Sequence, residues 1–287
     1  MKRRHVILFG SRGRIGRAVA TALTGVGCQV QGMSWLDSQR KTGREPEAIL
    51  TQLAVVEGDA DIVFASGLTD PNASEAELTL ANVERPIAVI KATIDRKQFR
   101  YLTIGSVLET FSSLAARNRY LASKAALWAR IEDLAADPRL HGRVMHLRGH
   151  TFYGGSPASH LFLGQMYESL RTNQPLRMSE GRQLREYAHV EDVASSIVAL
   201  LARAWSVPAD VNLSTGEPIR LSDLARAVYR AFDREELLQL GALPTPGGEN
   251  LDVRFPRSPA WLLGHPRPAI EGIVAWFSEL LDQPASR

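Results

Sequence analysis

The chain has 287 residues, 45% of them hydrophobic, and a formal charge of only +3, which suits one large domain or a domain with a smaller lobe. Its basic residues are scattered arginines, with Lys2-Arg3-Arg4 the one tight cluster, so there is no concentrated face for nucleic acid. A single cysteine, Cys28, excludes internal disulfides and cysteine-rich metal centres, and the dispersed histidines argue against any metal site. The apolar run Val6–Phe9 is too short for a signal peptide, and no stretch approaches the roughly 18 apolar residues that cross a membrane. A soluble, cytoplasmic protein without a membrane partner is expected.

Along the first half, short apolar runs alternate with longer helical patterns. Strands are predicted at His5–Phe9, Gln29–Met33, Ile62–Ala65, Tyr101–Ile104 and Val144–Leu147. Helices are predicted at Ile15–Thr24, Glu75–Asp95 and Tyr120–Ala136, the last stopped by Asp137-Pro138. Such alternation predicts right-handed βαβ crossovers and an α/β fold with a doubly wound parallel sheet of Rossmann type. The period weakens at Gly154-Gly155-Ser156-Pro157. A helix at Ser159–Arg171, a strand near Glu186–His189, a helix at Val190–Arg203, a loop over Leu240–Asn250 and a C-terminal helical segment complete the reading.

Two motifs carry chemistry. In Gly10-Ser11-Arg12-Gly13-Arg14-Ile15-Gly16 the glycines follow a strand and open a helix, the context in which such a turn cradles a dinucleotide. Gly10 allows the tight turn, Gly13 lets the pyrophosphate approach the backbone, and Gly16 lets helix and sheet pack closely, while the helix N-terminus offers amide donors to the anion. An acid that binds the ribose hydroxyls of NAD is expected at the end of the next strand. Here Met33 runs into Ser34-Trp35, and Asp37 comes three residues too late. With Arg12 inside the turn and Arg40 and Lys41 downstream, a 2′-phosphate is better matched, so NADP is expected over NAD.

The second motif is Tyr120-Leu121-Ala122-Ser123-Lys124, which places a phenol and an ammonium on one helix face. A free phenol titrates near 10, and a neighbouring ammonium together with a cationic nicotinamide ring would lower it toward working pH. Ser106, just after the strand Tyr101–Ile104, stands where ligands bind in open α/β sheets and can orient a substrate oxygen. The two motifs together point to a nicotinamide-dependent oxidoreductase.

On these residues, and on Asn82-Val83, Leu147-Arg148, Phe152-Tyr153-Gly154, Arg185–Ala194, Val211-Asn212-Leu213, Gly216-Glu217-Pro218 and Leu221–Leu224, the chain resembles the extended short-chain dehydrogenase/reductases, the NAD-dependent epimerase/dehydratase group, over nearly its whole length. The resemblance implies that Ser106, Tyr120 and Lys124 are catalytic, and that a nucleotide-sugar binds in a cleft between a dinucleotide domain (1–153 and 186–214) and a smaller α/β substrate lobe (154–185 and 215–287). It also implies a homodimer formed through the helices Glu75–Asp95 and Tyr120–Ala136. Arg185 is a candidate for the substrate pyrophosphate, with Arg254, His150 and His160 as further candidates to contact the substrate.

Departures from the family pattern narrow the chemistry. Sugar 4,6-dehydratases carry an Asp-Glu pair after the hydroxyl residue, whereas this chain has Val107-Leu108. Epimerase-reductases of the GDP-fucose synthase type carry a cysteine two residues beyond the serine, where Leu108 stands, although they share an arginine in the glycine turn and use NADP. Simple 4-epimerases show an acid where Ser34 stands, and a longer segment between Ser106 and Tyr120. The expected activity is therefore NADPH-dependent reduction of a nucleotide-linked 4-keto-6-deoxyhexose, as in deoxysugar supply for lipopolysaccharide and other surface polysaccharides. A 4-epimerase with retained NAD is the alternative, and a non-enzymatic NADP-binding regulator a third.

Overall fold

The computed structural model describes residues 4–35, 45–70, 72–205, 210–245 and 251–282. Arg40, Lys41 and Asp37, like the end of the loop expected over Leu240–Asn250, lie outside the described residues. The chain divides into two compact units, Met1–Gly149 with Ala194–Leu213, and His150–Val193 with Ser214–Arg287.

The first unit is built on a six-stranded parallel sheet. Its elements are β1 (His5–Phe9), α1 (Arg14–Gly25), β2 (Gln29–Met33), α2 (Glu45–Ala54), β3 (Ala60–Phe64), α3 (Glu75–Thr79), α4 (Arg85–Ala92), β4 (Phe99–Ser106), α5 (Ser112–Ala115), α6 (Arg119–Ala135) and β5 (Val144–Gly149). Strand β10 (Asp210–Leu213) returns to this sheet after the chain has passed through the second unit, which gives the order β10-β5-β4-β3-β1-β2. The expected strands are present, with β3 and β4 beginning two residues earlier than their apolar runs suggested. Helices cover both faces of a parallel sheet, so central strands read as continuous apolar runs rather than alternating ones. Val6, Ile7, Leu8 and Phe9 accordingly have no exposed surface. Side chains from β1, β3, β4, α4 and α6, among them Ile7, Phe64, Ile90, Tyr101, Leu127 and Ile131, form one core cluster. Each large side chain buried there contributes about 2 kcal/mol.

The strand order reverses between β1 and β3, both paired in parallel to their neighbours. In open α/β sheets a ligand binds beyond the carboxyl ends of the strands at such a switch point.

The helix expected over Glu75–Asp95 is three pieces. α3 starts from a capping box in which Ser74 and Glu77 exchange hydrogen bonds, and is followed by a π-helical turn, Leu80–Glu84, before α4. Pro86 is the cause: it lacks the N–H that would close the α-helical bond to residue 82, and its ring crowds that carbonyl. The widened turn buries Asn82, which is 1% exposed.

The second unit contains β6 (Thr151–Tyr153), α7 (Phe162–Thr172), β7 (Leu176–Arg177), β8 (Leu184–Arg185), β9 (Tyr187–His189), the start of α8 (Val190–Leu201), β11 (Ile219–Arg220), α9 (Leu221–Ala231), β12 (Leu238–Gln239) and α10 (Ala269–Leu281). Among the described residues its strands pair two at a time, β6 with β9, β8 with β11 and β7 with β12, with one isolated bridge from Leu184 to Asp252. A separate core of Tyr153, Met166, Tyr187, Leu224, Tyr229, Trp276 and Phe277 holds them together. Buried Glu186 is the polar anchor of this unit. Its carboxylate accepts from Ser214 Oγ, Thr215 N (2.7 Å), Thr215 Oγ1 (2.9 Å) and Gly216 N.

Candidate active site

The glycine turn is closed by contacts that exclude a side chain at Gly10 and Gly16 and crowd one at Gly13. Gly10 has φ +81°, and a Cβ there would lie 2.6 Å from Ser66 N. A Cβ on Gly16 would lie 2.0 Å from Gly10 O, and one on Gly13 3.2 Å from the same oxygen. Gly13 N donates to Gly10 O at 2.9 Å, and α1 begins at Arg14 with no side chain capping it and no acid in its first turn. Ser11 fits against β2 because Gly32 has no side chain in its way. The turn, the helix N-terminus and the switch point thus coincide at the end of β1, and the cradle fits the pyrophosphate of a dinucleotide.

At the end of β2, Arg12 Nη2 donates to Ser34 Oγ at 2.7 Å. Trp35 stacks on Phe9 with ring centres 4.6 Å apart, and its indole N–H donates to Ser66 Oγ at 3.2 Å. A cation and a hydroxyl therefore occupy the position where an acid would meet ribose hydroxyls.

The proton-transfer residues gather at the carboxyl end of β4. α6 begins at Arg119 because Asn118 caps it, its Oδ1 accepting from Leu121 N at 3.1 Å. Four residues apart on this helix, Tyr120 and Lys124 share a face, with Lys124 Nζ 5.8 Å from the centre of the phenol ring. The lysine is 7% exposed, and its ammonium donates to Ile104 O at 2.9 Å, tying α6 to β4. Asn82 lies against the same face: its Nδ2 donates to Ser123 Oγ at 2.9 Å and to Leu68 O at 3.0 Å. Gly67 passes so close that an added Cβ would be 3.2 Å from Asn82 Oδ1 and 3.6 Å from Lys124 Nζ.

Ser106 ends β4 and caps the 3-10 turn Val107–Thr110, accepting from Leu108 N at 3.2 Å. The other half of this capping box is Glu109, whose Oε2 accepts from Ser106 N at 2.9 Å. Glu109 is 5% exposed and takes two further donors on Oε1, His146 Nε2 at 2.8 Å and Arg148 Nε at 2.8 Å. Behind them, His146 Nδ1 is 2.7 Å from Thr103 Oγ1, and Arg148 pairs with Asp210. Trp128 covers this group, with Arg148 Cζ 4.3 Å from its ring centre. Neither Glu109 nor His146 stands out as functional when the motifs are read alone. The one available signal was Ser106-Val107-Leu108-Glu109, a capping-box spacing.

These surroundings set the titrations. Burial first, and then the Glu109 charge, push the Tyr120 phenol up to about 12 rather than below 10. Burial pulls Lys124 down to about 8, against an upward pull from Glu109. Burial alone would raise the Glu109 carboxyl, but hydrogen bonds from His146, Ser106 N and Arg148 bring it below its ordinary value. Burial lowers His146, so it is neutral and donates from Nε2 to the carboxylate while Nδ1 accepts from Thr103. The protein's own groups therefore hold Tyr120 as a phenol; the expected lowering joined Lys124 to a cationic nicotinamide ring.

The four residues expected to contact substrate belong to the second unit. Arg185 is half-buried on β8 and donates to Leu184 O at 2.8 Å. Arg254 lies on the surface and pairs with Asp252 at 2.5 Å, and Asp252 bridges to Leu184, so the two arginines stand on paired segments. His150 is buried edge-to-face against Phe255, 3.8 Å from Glu186. His160 is exposed in the turn before α7.

A parallel sheet with a glycine cradle at its switch point, and a Tyr–Lys pair one strand away, defines an enzyme that works with a bound dinucleotide. The family model for the NAD dependent epimerase/dehydratase family matches residues 6–214, and the chain belongs to that family. Its cofactor is therefore a nicotinamide dinucleotide. Among solved structures, it resembles the NDP-hexosamine 5,6-dehydratase TunA of tunicamycin biosynthesis (18% identity, 98% of each chain covered, TM-score 0.77). It also resembles the UDP-glucose 4-epimerase of Thermus thermophilus in complex with NAD (17% identity, 98% of this chain and 100% of that one, TM-score 0.76). A third is the dTDP-glucose 4,6-dehydratase of Bacillus anthracis str. Ames in complex with NAD (11% identity, 96% of each chain, TM-score 0.75). At these identities the likeness is one of fold. No helix among the described residues is long and apolar enough to cross a membrane.

Proposed function

We propose that this protein reduces the 4-keto group of a nucleotide-linked 6-deoxyhexose with NADPH. The observation that carries this reading is the Arg12–Ser34 pair at the end of β2, where a guanidinium and a hydroxyl suit a 2′-phosphate. When bound, the reduced nicotinamide supplies the hydride. Gly10, Ser11, Gly13, Arg14, Ile15 and Gly16 hold its pyrophosphate, and Arg12 with Ser34 holds the adenosine end.

Tyr120 gives its proton to the oxygen that develops negative charge as the ketone is reduced, and Lys124 stabilises the phenolate left behind. Ser106 Oγ orients the carbonyl. A phenol kept protonated, as Tyr120 is by its surroundings, suits a proton donor. Arg185 is the proposed partner of the substrate pyrophosphate, with Arg254, His150 and His160 beside the sugar nucleotide. The helices around Leu80, an exposed leucine, are proposed to pair two copies into a homodimer, which light scattering reads directly.

The test is stoichiometric. With dTDP-, GDP-, UDP- or CDP-linked 4-keto-6-deoxyhexoses, one NADPH should be consumed per sugar reduced, and NADH should serve poorly. A second reading, a 4-epimerase with retained NAD, draws on the NAD in two of the similar structures. It predicts interconversion of 4-hydroxy epimers with no net consumption of dinucleotide.

A further inference from the structure

The buried group Glu109–His146–Arg148 is not used by the mechanism above, yet Glu109 bonds the amide of Ser106 and its charge acts on Tyr120 and Lys124. We propose that Glu109 is a positioning residue for the proton-transfer group: its carboxylate fixes the strand end that carries Ser106, opposite the ammonium of Lys124 that fixes Ile104, and sets a negative charge beside that group. The proposal rests on the reading of Tyr120 as proton donor and adds the residue that keeps it one.

The geometry is a grip from two sides. Lys124 holds the carbonyl of Ile104, and Glu109 holds the amide of Ser106, so the last three residues of β4 are fixed by an ammonium and a carboxylate. Gly105 between them leaves no room for a side chain in the present arrangement. A Cβ there would lie 2.2 Å from His146 Nε2 and 2.6 Å from Glu109 Oε2, so the strand is bare where the two side chains press against it.

The charges facing Glu109 are His146 and Arg148 from β5, Lys124 and Tyr120 from α6, and, through Arg148, Asp210 from β10. His146 is neutral, and Arg148 is shared with Asp210. The carboxylate is therefore only partly neutralised by its own partners, and a residual negative charge acts on α6. Its field raises Lys124 and Tyr120 together, opposing burial at the lysine and reinforcing it at the tyrosine. Thr103 and His146 hold the carboxylate in place, because each donates in turn along the chain Thr103 to His146 to Glu109.

Lys124 is the convenient reporter, since it titrates within the range a folded protein tolerates. The experiment follows the Cε resonance of lysine in the full-length chain labelled with 13C at that carbon. The few lysines leave a simple spectrum, and the Lys124 signal is the one lost in Lys124→Met. In wild type its midpoint should lie near 8. In Glu109→Gln it should fall by about one pH unit, the size of one unit charge acting at short range in a partly shielded interior. Glu109→Asp keeps the charge but withdraws from Ser106 N, so it should hold the wild-type midpoint while kcat for ketone reduction falls. If Glu109→Gln does not fold, Glu109→Leu with His146→Phe removes the charge and its imidazole partner together, and the same fall is expected.

A midpoint unchanged in a folded variant lacking the Glu109 charge would overturn the proposal. The titration needs no substrate, so it separates two failures. If no 4-keto sugar is reduced but the midpoint falls, the proposed reaction is wrong and the role of Glu109 stands. If sugars are reduced and the midpoint stays, the role of Glu109 is wrong and the reaction stands.

Discussion

Each unit of the molecule is organised around one buried glutamate, and the two are used differently. Glu109 takes its hydrogen bonds from an imidazole, a guanidinium and one amide, and its field reaches two titrating side chains on α6. Glu186 takes its bonds from hydroxyls and amides of Ser214, Thr215 and Gly216, which sews one chain segment to another. Both are 5% exposed or less, and both are satisfied. Burial and satisfaction thus do not separate the two carboxylates; what each charge reaches does, His150 at 3.8 Å for Glu186 and the proposed proton-transfer pair for Glu109.

Removing each carboxylate should therefore break different properties. Glu186→Ala leaves several buried donors without an acceptor and should lower stability by about 4 kcal/mol, read by chemical denaturation. In whatever fraction folds, the midpoint of Lys124 should be unchanged. A shift of that midpoint in this variant would erase the contrast between the two sites.

The next effect is a pH dependence of stability that belongs to the first site. Lys124 titrates near 8 in the folded chain but near 10.5 when unfolded. Between these values the unfolded chain binds a proton that the folded chain does not, so stability from this group rises with pH. The gain amounts to about 3 kcal/mol across that window. Wild type should gain this much relative to Lys124→Met between about pH 7.5 and about pH 10.5, measured by urea midpoints at each pH. Tyr120 works the opposite way, since its folded value near 12 lies above the ordinary 10 and its contribution is lost as pH rises beyond 10.

Smaller still is the cost of crowding the first site. Gly105→Ala drives a methyl into His146 and Glu109 and should cost about 2 kcal/mol, with kcat falling more than NADPH affinity. The smallest effect concerns the cofactor. Arg12→Ala should weaken NADPH binding about tenfold, or about 1.4 kcal/mol, and leave NADH binding nearly unchanged. Equal losses for both dinucleotides would instead assign Arg12 to the turn rather than to a 2′-phosphate.

Much of the first unit was legible because a doubly covered parallel sheet writes its strands as continuous apolar runs, as at Val6–Phe9. The glycine turn and the Tyr120–Lys124 spacing were legible because their chemistry demands local patterns. The second unit was harder, since β7, β8, β11 and β12 are two residues each and carry no period. The break at Leu80–Glu84 could have been read from Pro86. Glu109 escaped because its importance is not local: His146 and Arg148 reach it only through the pairing of β4 with β5. The tyrosine's raised titration escaped for the same reason, being set by burial and by a charge eleven positions earlier in the chain.

The central claim is that Tyr120 donates the proton in a reduction that consumes NADPH. It is tested most directly by comparing wild type with Tyr120→Phe, following NADPH oxidation with a nucleotide-linked 4-keto-6-deoxyhexose and NADPH binding by fluorescence. Turnover should fall by about 10³-fold while the Kd for NADPH changes by less than about threefold. Undiminished turnover in Tyr120→Phe would contradict the account.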